Sequence, residues 1–370
     1  MADSAEARAG AVLEVDLGAI VANWRILRAR HQSGAVAGVV KADAYGLGAH
    51  QVAPALHKAG CGHFFVALLD EALAIRPLLP GAVLAVLSGP FPGTEADYIA
   101  HDLIPVLGSL TEIDSWGVAA HRAGRVLPAI LHIDTGMSRL GLPAAELAVL
   151  QQDHARLSGI ELRFVMTHLV SSEIRDDPLN EVQLRRFSAA CGGLPPAPRS
   201  LANSSGIFLG AEWGSDLARP GAALYGINPT PGAANPMHLP VRLRARVLAV
   251  RDLAPGETVG YNATWPPPRQ PARPSRVATA AIGYADGWHR ALSNRGGAVF
   301  DGRPVPLVGR VSMDLTTFDV TDHPAIAPGD WLELIGPGQT PDEVAAAAGT
   351  NGYEVLTSLG RRFHRIYRPA

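Results

Sequence analysis

Between residues 12 and 230 the chain alternates short apolar, β-branched runs with longer stretches of helical period, and this limits its possible folds more than any other feature. The strand-like runs are VAGVVK (36–41), HFFVAL (63–68), AVLAVL (82–87), DLIPVL (102–107), RVLPAILHI (125–133), IELRFVMTH (160–168), RSLAN (199–203) and LARPGAALYG (217–226). Helical patterns such as GLGAHQVAPALHKAG, PAAELAVLQQDHARL and PLNEVQLRRFSAACGG lie between them. Near-continuous apolar strands separated by helices argue for a parallel sheet covered on both faces. Eight such runs predict an α/β fold of the (β/α)8 TIM type. An open doubly wound sheet is the competing architecture, but no G-x-G-x-x-G follows the first strand.

Ahead of these runs, VLEVDLGAIVANWRILRARH reads as a short strand, an Asp16 N-cap and an amphipathic helix. After about residue 236 the period becomes two. RLRARVLAVR (242–251) alternates strictly, VATAAIGY, VPLVGRVSMDLTTFDV and WLELIG are strand-like, and FDGRP carries an Asp-Gly hairpin signal. PPPRQPARP (266–274) reads as a surface loop, with short helices expected over 341–348 and from Tyr353. The expected domains are a barrel over 12–235 and a mainly β domain over 236–370.

Composition excludes several classes. Basic and acidic residues nearly cancel, 32 against 34, so no basic face for nucleic acid is expected. Two cysteines, Cys61 and Cys191, make no disulfide framework and lack metal-site spacing, which fits a reducing cytoplasm. The start, MADSAEARAG, has acids and no apolar core, unlike a secretory leader. Pro and Gly break the uncharged run 77–94 too often for a membrane span. Only two of the basic residues are lysines, Lys41 and Lys58, so amine chemistry has two candidates.

Functional groups of such barrels sit just past the C-terminal ends of the strands. Those positions hold Lys41 and Tyr45, the stretch Asp134–Arg139, His168, then Asn203 and Ser204, and finally Arg219 and Gly221. Lys41 follows an apolar run. It is either a desolvated amine able to form a Schiff base or a lysine that snorkels to solvent. Lys58 lies in a helical pattern and reads as a surface residue. Ser204 is either an N-cap or a phosphate ligand, and Gly221 in the next unit marks the phosphate corner of these barrels. An amine and a phosphate corner in one barrel mouth point to pyridoxal phosphate.

These residues lie in VVKADAYG (39–46), HIDTGMSRLG (132–141), MTHL (166–169), LANSSG (201–206), LARPGAALYG (217–226), VGYNATW (259–265), GYADGWHR (283–290), GRVSMD (309–314) and GYEVL (352–356). In that order and over nearly the whole chain, they resemble the alanine racemase family. The resemblance implies a barrel plus β domain that racemises alanine with pyridoxal 5′-phosphate held on Lys41. Phosphate contacts would come from Tyr45, Ser204, Gly221, the Ala222 backbone and Tyr353, with Asn203 nearby. Arg219 would face the pyridine nitrogen; a guanidinium only donates, so that nitrogen would accept. His168 would support this array, or simply be a satisfied histidine at a strand end.

Racemisation removes a proton from one face of Cα and returns one to the other, so it needs two acid–base groups. The resemblance assigns Lys41 and Tyr261, the latter reaching the site from the second subunit of a homodimer. Tyrosine ordinarily titrates near ~10, so Tyr261 would need positive charge close by; without the surrounding motifs it would read as an amphipathic-strand residue. Arg139, the Met313 backbone and Asp314 would bind or frame the substrate. Glu173, Tyr284, Arg290 and Arg310 match positions along the corridor to the site. The motifs serve equally an enzyme that makes D-alanine for cell-wall precursors and one that degrades it.

Departures from the family pattern are informative. His132 stands where many members carry a carbamylated lysine that holds the arginine matching Arg139. Arg139 is therefore expected to be held by a bound chloride, an acidic side chain or His132. Asn351 occupies a corridor position that is often apolar, and Trp265 and Trp288 replace common tyrosines as aromatic packing. Alternatives of the same fold are a broader-specificity, serine or lysine racemase and an amino-acid decarboxylase, whose Gly-rich loop and catalytic cysteine motif are missing from the β domain. A barrel-only cofactor-binding regulator would lack the β domain, and a cofactor-free aldolase would leave Arg219 and Tyr261 without a purpose.

Overall fold

A computed structural model describes residues 4–265 and 274–370. The Pro-rich segment expected as a surface loop falls almost entirely outside the described residues. The chain divides into two units. One comprises Ile20–Ala44 and Gly48–His238; the other comprises Met1–Ala19, Tyr45–Leu47 and Leu239–Ala370.

In the first unit, seven parallel strands lie side by side in chain order: Gly38–Val39, His63–Val66, Val83–Val86, Ile104–Leu107, Leu127–His132, Ile160–Met166 and Arg199–Ser200. The eighth run supplies Leu217–Ala218, which pairs in parallel with Ala35–Val36 just ahead of the first barrel strand. On its other side the Arg219 amide donates to Ala202 O at 2.8 Å. The eighth strand therefore bridges the seventh and the first, and the ring is a (β/α)8 barrel. Strands such as Ile104–Leu107 are buried at every position, which is why they read as unbroken apolar runs. Two runs shrink on folding. RSLAN keeps a two-residue strand, and LARPGAALYG gives up its second half to a 3-10 turn at Ala222–Tyr225 after Pro220 and Gly221.

The second unit follows the other rule. Its longest strand, Val241–Leu253, alternates buried and open positions over its first half, as the period-two sequence requires. Eight strands form one sheet, in the order Ser275–Ala280, Thr316–Asp319, Arg303–Val308, Gly297–Phe300, Trp331–Ile335, Val241–Leu253, Ala11–Asp16 and His364–Arg368. Val241–Leu253 also pairs with Ser275–Ala280, closing the first six into a small barrel. The Asp-Gly signal gives the expected hairpin: Asp301 and Gly302 have φ of 48° and 74°, and Phe300 pairs with Arg303.

The sequence reading begins the barrel at residue 12, whereas Ala11–Asp16 pairs with Val241–Leu253 and His364–Arg368. Glu14 on this strand is only 6% exposed and is held by Arg244 and Arg368 from its two neighbours. Asp16 then caps the next helix as expected, accepting from Ala19 N at 2.9 Å.

Candidate active site

The backbone leaves the first barrel strand in a conformation that no local sequence signal announces. Ala42, Asp43, Ala44 and Tyr45 all have φ between 52° and 55°, which makes a left-handed helical turn directly after Lys41. Each such residue costs about 1–2 kcal/mol, and none of these is Gly or Asn. Hydrogen bonds on every side offset the cost. Ala44 N donates to Val40 O at 2.9 Å and Gly48 N to Asp43 O at 2.8 Å. Ala49 N donates to Asp43 Oδ1 at 2.7 Å, and Ala42 N to Glu71 Oε1 at 2.6 Å. Strain concentrated beside one lysine is a mark of a functional position.

Burial lowers the proton affinity of the Lys41 amine. The Arg139 charge lowers it further, and Glu71 works in the opposite direction. His132 and His168, at the ends of the fifth and sixth barrel strands, sit in the same field. Burial first, then Arg219, pushes their pKa values down to about 4 and about 3, so both imidazoles are neutral at pH 7. Arg219 is 5% exposed, and burial lowers its pKa to about 10, which leaves it charged. It donates to Ser200 Oγ and Thr167 O, both at 2.5 Å. Among the described residues no carboxylate pairs with it. A buried cation with only neutral partners is costly unless a bound group brings acceptors or negative charge.

The two readings of Ser204 are now separable. It does not cap the 3-10 turn Gly206–Phe208 that follows it, whose N-cap is Ser205; the first amide of that turn, Gly206 N, donates to Asn203 Oδ1 at 2.9 Å. Ser204 Oγ instead accepts from Gly221 N at 3.0 Å and Ala223 N at 3.2 Å. A hydroxyl and the amides around Gly221–Ala223 thus converge two residues from Arg219. With its oxygen held by these amides, Ser204 has its hydroxyl proton left for a phosphate oxygen. Together, the amine, the uncompensated guanidinium and this corner fit pyridoxal phosphate.

Two of the supports expected for Arg139, His132 and an acidic side chain, do not reach it among the described residues. Asp134 organises its loop, its Oδ1 accepting from Gly136 N and Met137 N at 2.9 Å and Ser138 N at 3.1 Å. The Arg139 side chain itself is exposed and, among the described residues, donates no hydrogen bond to His132 or any acid. His132 feels its charge without bonding to it. Glu173 lies exposed in the same unit.

In the second unit, Tyr261, Tyr284, Arg290 and Arg310 line one cavity of about 390 Å³. Four residues taken from three separate motifs are thereby brought together, two of them arginines. Nearby, Met313 O accepts from Ala285 N at 3.0 Å, and Asp314 pairs with Arg362 at 2.7 Å. Tyr45 also belongs to this unit. The adjoining Gly46 has φ of 82°, and a Cβ there would fall 2.2 Å from Leu356 O, on the helix Gly352–Thr357 that carries Tyr353. Asn351 is that helix's N-cap, accepting from Glu354 N at 3.0 Å, so a cap accounts for the departure. Trp265 packs on Leu253, Val259, Val277 and Val308, and Trp288 is 1% exposed, as aromatic packing requires.

The residues behind the site were not found from sequence. Gln183 is fully buried on the helix Pro178–Gly192. It donates to Thr135 Oγ1 at 3.0 Å and His168 O at 2.9 Å, and accepts from Val170 N at 2.8 Å. Thr135 Oγ1 in turn meets Thr167 Oγ1 at 2.8 Å. The only sequence signal was a polar residue on the apolar face of a helix.

Residues 15–229 match the model of the alanine racemase N-terminal domain, and residues 240–367 that of the C-terminal domain. The chain is 57% identical to an alanine racemase of Acidiphilium cryptum, covering 96% of this chain and 98% of that one. It is 51% identical to one of Rhodospirillum rubrum, covering 98% and 97%. A crystal structure of alanine racemase from Bartonella henselae with covalently bound pyridoxal phosphate superposes with a TM-score of 0.93 at 41% identity, covering 97% of this chain and all of that one.

Proposed function

The chain belongs to the alanine racemase family and interconverts L- and D-alanine with pyridoxal phosphate; on that premise we propose that Lys41 and Tyr261 are its two acid–base groups, supplied by different copies of a homodimer. The observation that carries this reading is the placement of the two residues. Lys41 stands in the barrel unit, in the field of Arg139 and Glu71, and Tyr261 stands in the β unit on a cavity wall with Arg290 and Arg310.

Pyridoxal phosphate, when bound, supplies an electron-withdrawing system that accepts the charge developing at the substrate Cα. Lys41 would hold it through its amine, Ser204 with the Gly221 and Ala222 amides would hold its phosphate, and Arg219 would donate to its ring nitrogen. Tyr45 and Tyr353 are assigned to the phosphate by the motifs they occupy. Because Arg219 stays charged and only donates, it would hold that ring nitrogen as an acceptor. The lowered proton affinity of Lys41 lets Nζ take a proton from one face of Cα. Tyr261 Oη returns one to the other face. Arg139, free of protein acceptors among the described residues, is left to bind the substrate carboxylate with the Met313 amide of the second copy, whose Asp314, held by Arg362, frames the site. His168 and Asn203 hold the surrounding polar array, and Glu173, Tyr284, Arg290 and Arg310 set the corridor for a small zwitterion.

Surface chemistry supports the homodimer. Tyr261, Tyr284, Met313 and Leu315 are 67, 44, 54 and 40% exposed, large apolar groups for a second copy to cover. Among the described residues no helix is long and apolar enough to cross a membrane, and both cysteines are free thiols, which supports a cytoplasmic location.

The test is direct. Cofactor-loaded protein should abolish the optical rotation of L-alanine and act more slowly on L-serine; unchanged rotation of both overturns the reading. Tyr261→Phe should lose racemisation yet still exchange the α-hydrogen of one enantiomer with deuterated solvent, through Lys41. Exchange of both enantiomers would remove Tyr261 from the mechanism.

A further inference from the structure

We propose that Glu71 is a positioning residue for Lys41, holding the left-handed turn that aims the amine and setting the charge around it. This rests on the assignment of Lys41 made above. Val39 pairs with Phe65, and Val40 N donates to Phe65 O at 2.9 Å, so the chain leaves the first two barrel strands at one level. The helix Leu69–Ile75 starts there, with Glu71 in its first turn. Glu71 Oε2 accepts from Ala67 N at 2.8 Å and Leu68 N at 3.2 Å, closing its own helix start. Its other oxygen, Oε1, reaches the neighbouring strand end and accepts from Ala42 N at 2.6 Å.

One carboxylate therefore joins the ends of two adjacent strands through three amides. The amide it takes on the first strand belongs to the first left-handed residue, in the peptide bond that directly follows Lys41. Fixing that peptide fixes the direction in which the Lys41 side chain leaves the backbone. Asp43, the other acid of the turn, is engaged elsewhere, by Ala49 N. The charged and titratable groups in the field of Lys41 are Arg139 from the loop after the fifth strand, His168 from the end of the sixth, and Glu71. Glu71 alone among these favours the protonated amine, so it balances Arg139.

The lysine count supplies an internal reference for the test, since Lys58 sits on the helix Ala49–Lys58, outside the assigned site. Cofactor-free wild-type, Glu71→Gln and Glu71→Ala proteins are acetylated with trace acetic anhydride across a pH series. Lys41 and Lys58 labelling are then read by peptide mass spectrometry. Glu71→Gln keeps an acceptor and loses the charge. It should move the Lys41 midpoint to lower pH, with Lys58 unmoved, and raise the Lys41-to-Lys58 ratio a few-fold at neutral pH. Glu71→Ala loses the tie as well and should release pyridoxal phosphate on dialysis several-fold faster than Glu71→Gln.

Lys41 labelling identical to wild type in Glu71→Gln overturns the proposal. So does a Glu71→Gln protein that has lost its far-ultraviolet dichroism, because Glu71 is then merely structural. Failure of the underlying assignment looks different: a Lys41→Ala protein that still holds the cofactor covalently.

Discussion

At the residue scale, the site works by withholding protons. His132 and His168 keep neutral rings because burial and Arg219 oppose a further positive charge. Their pKa values fall from 6.5 in the unfolded chain to about 4 and about 3 in the fold, so the unfolded state binds protons more readily. The stability they contribute is therefore complete above pH 6.5 and is lost as pH falls through the folded values. Urea titrations of the cofactor-free protein should show unfolding free energy declining from about pH 6.5 downwards, with a limiting slope near 1.4 kcal/mol per pH unit per histidine. His168→Asn should flatten that decline, and an unchanged slope would show that His168 does not stay neutral. Single residues were read from the sequence with uneven success. Lys41 and Arg219 could be located because a charge at the end of an apolar strand is conspicuous. The role of Ser204 could not be decided, since a cap and a ligand have the same local sequence and differ only in which amide lies opposite. That the neighbouring acid does not reach Arg139 was illegible for a related reason. Nothing in HIDTGMSR says that Asp134 is occupied by three amides of its own loop.

At the element scale, periodicity placed every barrel run because burial on two faces and burial on one face write different patterns. The turn after Lys41 was illegible. KADAY has no residue that prefers positive φ, and the conformation is imposed by groups distant in sequence, such as Glu71. The helix Pro178–Gly192 shows the same non-local logic. Through Gln183 it pins the ends of the strands Leu127–His132 and Ile160–Met166, from which Thr135, Thr167 and His168 emerge. Thr167 O in turn receives Arg219. Gln183→Leu keeps the size but leaves Val170 N and His168 O without their partner, while Thr135 keeps Thr167. At about 1–3 kcal/mol for each orphaned group, a loss of roughly 3 kcal/mol is expected in urea unfolding. Activity should fall with it, because both His168 and Arg219 hang from the same network. A variant as stable as wild type would show that water replaces the amide.

At the scale of the whole molecule, the two proposed acid–base groups are divided between units: Lys41 in the barrel and Tyr261 in the β unit. If each site takes its lysine from one copy and its tyrosine from another, two inactive proteins should repair each other. A Lys41→Ala chain still offers Tyr261, and a Tyr261→Phe chain still offers Lys41. In a mixed dimer one of the two sites would then be intact and the other doubly damaged. Random exchange of subunits makes half of the dimers mixed, so unfolding and refolding the two proteins together should restore about a quarter of wild-type activity. Neither protein refolded alone should recover any. A site completed within one chain predicts no recovery at any mixing ratio, because every chain in the mixture lacks one of the two groups. The dependence on ratio separates true repair from contamination: activity should peak at equal amounts of the two variants and vanish toward either pure protein. That curve also tests the exposed face around Tyr261, since exchange can restore a site only if two copies meet there.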